Sequence, residues 1–177
     1  MKRIFFFTFL VLAFFSSCSN ETPVSEVDET IESNDGLEEG WMDLTIQDGG
    51  YKLEIEIPGE EITRGKSESS YHEETGELEV KAGPNFDLFI LEDESQIEMV
   101  KNELNNHPFY NVMYAVATDS SLMYQQITEG GGKEQWHIYV ERDLGNSTLL
   151  IRSNEEIPYT EFQAKLMLKS ALSISPL

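Results

Sequence analysis

Cysteine is nearly absent. Cys18 is the only one among 177 residues, which excludes an internal disulfide framework and a cysteine zinc cluster. Basic residues are scarce too: 12 Lys and Arg stand against 33 Asp and Glu, a formal net charge of −21. A chain so acidic presents no basic face to phosphate, so nucleic acid is not a partner and charge does not dock it on anionic lipid. No apolar run reaches the roughly 20 residues that span a bilayer. What remains is 40% hydrophobic with 10 Phe and 7 Tyr, too much apolar matter for a wholly disordered chain.

The apolar residues are concentrated first at the start. Met1-Lys2-Arg3 is a short positive region, and Ile4 to Phe15 is apolar apart from Thr8. Ser16-Ser17 follow, then Cys18. Charged start, apolar stretch and small residues are the layout of a secretory signal peptide, here residues 1–17. Phe15-Ser16-Ser17-Cys18 resembles a bacterial lipobox, although Phe15 replaces the usual Leu. That resemblance implies that Cys18 is acylated, becomes the mature N-terminus and anchors the chain in a membrane of the cell envelope, periplasmic or outer-surface. Each buried CH₂ of an acyl chain contributes about 0.8 kcal/mol, so several chains anchor a domain without any spanning helix. From Ser19 to Tyr51 there is no Lys or Arg, while acids recur from Glu21 to Asp48. Residues 18–40 therefore read as an acidic, disordered tether. Ser19-Asn20-Glu21 resembles, loosely, the surface-export signal of Bacteroidetes lipoproteins.

Residues 41–177 read as a single α+β domain. Leu44 and Ile46, then Leu53, Ile55 and Ile57, alternate with polar residues, and Asp48-Gly49-Gly50 between them is hairpin chemistry. Glu60 to Gly76 is polar and reads as a loop. Leu78–Ala82 and Phe86–Leu91 read as strands, and Asp93 onward as a middle helix carrying Ile97, Val100 and Leu104 on one face. Four further strands follow, at 109–118, 121–127, 136–141 and 147–153. In the third, Trp136, Ile138 and Val140 point inward and His137 and Tyr139 outward. A C-terminal helix over 159–173 opens with the capping box Thr160…Gln163 and turns Phe162 and Leu166 toward the core. The expected fold is a mainly antiparallel sheet with the helices collected on one face. The order of elements over residues 41–174 resembles the PsbP-like α/β/α sandwich family, and a cystatin-like sheet gives a similar pattern. The PsbP-like resemblance implies a non-enzymatic binding or assembly factor.

No catalytic signature emerges. His72, His107 and His137 form no His-Glu-x-x-His pair and read as surface or structural residues. There is no Gly-x-Ser-x-Gly elbow, Gly65-Lys66-Ser67 lacks the first glycine of a phosphate loop, and Glu92-Asp93-Glu94 lacks the spacing of a calcium loop. No cofactor and no metal is expected. Tyr110, Tyr114, Tyr124 and Tyr139 read mostly as sheet-face residues, some of them able to line a binding surface. Two functions follow from the residues: a non-catalytic binding or accessory lipoprotein of the cell envelope, or an immunity-type or inhibitor protein whose acidic surface neutralises a basic toxin or enzyme.

Overall fold

The computed structural model describes residues 39–128, 132, 135–145 and 147–177. The signal peptide, Cys18, nearly all of the tether, and Gly130-Gly131 lie outside the described residues. β1 (Trp41–Asp48) and β2 (Tyr51–Pro58) form the expected hairpin, with Asp48 facing Tyr51. Its two turn residues, Gly49 and Gly50, have φ of +58° and +91°, the left-handed values that a two-residue hairpin loop demands. Gly49 is doubly constrained, because a Cβ there would run into the Tyr71 ring.

A single helical turn, α1 (Glu60–Thr63), leads into β3 (Ser67–His72), β4 (Glu77–Ala82) and β5 (Asp87–Asp93). The stretch 60–76 is thus not a loop. β3 has the sequence SESSYH and is an edge strand in which exposed residues alternate with partly buried ones, so it carries no apolar alternation to betray it. α2 (Ile97–Asn105) begins four residues later than the sequence pattern puts it, since Asp93 is still paired with Thr148 in the sheet.

β6 (Tyr110–Ala117), β7 (Ser121–Thr128), β8 (Gln135–Asp143) and β9 (Thr148–Ser153) form the meander. α3 (Glu161–Ser173) follows and a short β10 (Ser175–Pro176) ends the chain. Seven strands pair antiparallel in the order β3-β4-β5-β9-β8-β7-β6, and β1-β2-β10 makes a second, three-stranded sheet. The protein is an α+β fold dominated by antiparallel sheet, as its sequence implies.

The layers differ from expectation in one respect. α3 and β2 cover one face of the large sheet, in a core that unites Ile55, Ile57, Val80, Leu88, Ile151 and Met167. α2 covers the other face, over Leu122, Tyr124, Tyr139 and Leu150. The helices therefore lie on opposite faces, and β8 is buried on both sides from Trp136 to Glu141. His137 is buried, not outward. The capping box at Thr160 forms as expected: the Gln163 N–H donates to Thr160 Oγ1 and the Thr160 N–H to Gln163 Oε1. Phe162 instead faces solvent. The buried stripe of α3 runs through Ala164, Met167, Leu168 and Ala171, while Leu166 is partly buried beside it.

Candidate functional site

α2 has nine residues, about 14 Å at 1.5 Å per residue, whereas β8 beneath it runs to about twice that length. One helix this short cannot roof the whole face. A cleft of ≈ 390 Å³ opens beside it. Met99, Val100 and Leu104 of α2 form one wall, Tyr124, Tyr139 and Arg152 of the sheet form the floor, and His107, Tyr110 and Glu155 close the end.

A strand holds the helix in place. The first turn of α2 has no side-chain cap of its own. Glu141 of β8 supplies one instead: the Gln96 N–H and the Ser95 hydroxyl each donate to its carboxylate at 2.6 Å. A carboxylate at a helix N-terminus satisfies free N–H groups and complements the helix dipole. Glu141→Ala should lower stability by about 1–3 kcal/mol, because two charge-assisted hydrogen bonds lose their acceptor and α2 its cap. Chemical denaturation, with hydrogen exchange at residues 97–105, checks this. A loss under about 0.5 kcal/mol with α2 still protected would show that the helix is held by packing alone.

Aromatic groups dominate the cleft. His107 and Tyr110 stack with centroids 3.7 Å apart. Tyr124 is 3% exposed, and its hydroxyl has no hydrogen-bond partner among the described residues. Burial first, and then the carboxylate of Glu155, pushes the Tyr124 phenol well above its usual range, so it stays neutral. Tyr110 is raised for the same reasons, with Glu103 adding to the effect. Burial and the neighbouring Glu141 raise Tyr139, whose hydroxyl lies 3.4 Å from Glu141 Oε1. The one guanidinium in the cleft is already engaged. Arg152 donates to Glu77 Oε1 at 2.6 Å and lies 4.8 Å over the Phe89 ring.

Beyond the cleft, on β3 and β4, Glu79 gathers a polar cluster. Lys81 Nζ lies 2.6 Å from Glu79 Oε1, and His72 Nε2 lies 3.2 Å from Oε2, which also accepts from the Ser70 hydroxyl. Burial alone would raise the Glu79 carboxyl, but Lys81 and His72 outweigh it and hold it below the usual carboxylate range. Ser70 donates to this carboxylate and not to the imidazole, and a carboxylate paired with Lys81 and His72 and held below its usual range is a weak base for activating a hydroxyl. The cluster orders the sheet surface; its arrangement offers no nucleophile.

The structure brings Tyr110, Tyr124, Tyr139 and His107 together in the cleft. It leaves Tyr114 outside, donating to Asn105, and His72 on β3 instead of in a loop. Sequence reading missed Glu103, Glu141, Arg152 and Glu155. One signal was present, since Glu141 and Arg152 are charges inside apolar strands and such charges are paired. Glu103 and Glu155 gave none, being two carboxylates among many. Among the described residues no group of three or more His, Cys, Asp or Glu could hold a metal ion, and no helix is long and apolar enough to cross a membrane. Nothing in the described geometry points to catalysis. No family model and no curated protein matches the chain.

Proposed function

We propose that this chain is a lipid-anchored binding or accessory protein of the cell envelope, held by Cys18 and engaging its partner through the cleft beside α2. One observation carries the reading: three tyrosines, one of them stacked on His107, line a preformed concavity in which no residue is arranged as nucleophile and base. The layout of residues 1–18 supports the anchor. The acids Glu103 and Glu155 at the rim favour, as a second reading, an inhibitor-type protein that caps a basic partner.

The test uses the full chain in the cell envelope, with a photo-crosslinking residue at Met99 in the cleft or at Met42 on β1. Both positions are about half exposed. A discrete adduct is expected from Met99 only, in the membrane fraction, and Cys18→Ala should move the protein out of that fraction. Equal adducts from both positions, or membrane retention of Cys18→Ala, would overturn the reading. So would steady turnover of a substrate that one substitution in the cleft abolishes.

A further inference from the structure

We infer that the cleft beside α2 receives a cation, an ammonium or guanidinium group on an alkyl stem. The inference rests on the binding reading above and names the chemistry of what is bound. Three observations converge on it. First, Glu103 and Glu155 line the cleft and are exposed at its rim, and neither has an ion-pair partner among the described residues. Second, the only guanidinium there is held by Glu77, so the cleft presents two uncompensated negative charges. Third, the floor is aromatic and carries a hydroxyl, that of Tyr124, with no hydrogen-bond partner among the described residues. Tyr124 is almost wholly buried, and its hydroxyl shares the field of Glu155, Tyr110 and Arg152, which line the same cleft.

Taken together, the acids, the aromatic floor and the apolar wall suit a cation on an alkyl stem better than an anion or a neutral alkyl group. Ring faces attract positive charge through their quadrupole, most strongly where water is excluded. A neutral phenol oxygen accepts from an ammonium N–H. Met99, Val100 and Leu104 give the stem an apolar wall, as long basic side chains require. An anion would be repelled by Glu103 and Glu155 and would have to compete with Glu77 for the Arg152 guanidinium. A volume of ≈ 390 Å³ admits a stem of lysine or arginine length. Two sources supply such a group: a free polyamine, or the side chain of a basic protein.

The test follows the Met99 methyl resonance in the cleft, with Met42 as the distant control. The folded chain is titrated separately with spermidine, a lysine-rich peptide, hexanoate and pentanol. Either or both cationic probes should shift Met99 and leave Met42 still, while hexanoate and pentanol shift neither. A shift by spermidine alone identifies a free amine, and a shift by the peptide alone a protein side chain. Glu103→Gln with Glu155→Gln should weaken binding about tenfold, whereas Glu73→Gln with Glu74→Gln, on the exposed β3–β4 turn, should change it less than about twofold. Equal weakening by both pairs would mean diffuse attraction to an acidic surface and would overturn the inference. A Met99 shift by hexanoate or pentanol as large as by amine would overturn it too, while leaving the binding reading intact. Silence of Met99 toward all four probes overturns it as well, and only the additional absence of a Met99 crosslink removes the binding reading.

Discussion

Met167→Ala should cost about 2–5 kcal/mol of stability, and Phe162→Ala, one and a half turns earlier on the same helix, less than about 0.5. Met167 is fully buried between the large sheet and β2, whereas Phe162 is 63% exposed. The truncation at 167 loses transfer free energy and leaves a cavity. Its size depends on how far Ile55, Ile57 and their neighbours relax, so the range is wide. At 162 the side chain leaves water on one side only and opens no cavity. Urea unfolding of the two variants beside the parent measures both. Equal losses at 162 and 167 would mean that α3 is rotated relative to the arrangement described, with Phe162 turned inward. Leu166, partly buried, should fall between them.

That contrast shows why α3 was half legible. Its start is written locally, in the Thr160…Gln163 box, and it forms where expected. Its rotation is a tertiary matter. The helix is apolar most of the way round, from Phe162 through Leu172, so periodicity alone does not choose a face. The same holds for β8. Strict alternation implies one wet face, the one that His137 and Tyr139 share. The sheet is covered on both faces there, a fact fixed by α2, some thirty residues or more earlier in the chain. β3 escaped for the opposite reason: an exposed edge strand needs no apolar residues, and SESSYH has almost none. The hairpin at Gly49-Gly50 was legible because a two-residue loop dictates its own residues. The cleft was legible only as a surplus of tyrosines. Its depth comes from the mismatch between a nine-residue helix and longer strands, and its charge from which two of many carboxylates happen to reach the rim.

Stability should also fall by about 3 kcal/mol between pH 6.5 and pH 4 on account of His137 alone. The imidazole is 1% exposed. Nδ1 lies 3.3 Å from the Ser153 hydroxyl, Nε2 has no partner among the described residues, and the rings of Tyr124 and Tyr159 flank it at 5.9 and 6.1 Å. Neither tyrosine carries charge in this range, because burial raises both phenols. Nothing there stabilises an imidazolium, and burial lowers the pKa from 6.5 to about 4. The sign follows directly. Between those values the unfolded chain binds a proton that the folded chain refuses, so the contribution is complete above pH 6.5 and is lost as pH falls toward 4. Among the described residues two carboxylates also titrate differently on folding. Glu79 is lowered and costs stability in the same direction, but only below its ordinary range. Asp87 is raised by burial despite the Asn154 amide that donates to it, so it works the other way. Subtraction separates them from His137. In His137→Asn both carboxylates remain and the imidazole does not, so the difference in slope between parent and variant over pH 6.5 to 4 belongs to His137. The level of stability can change for packing reasons; the slope is the readout. Parallel curves for parent and variant would mean that His137 takes up its proton in the folded state near its ordinary pKa, with water reaching the end of β8.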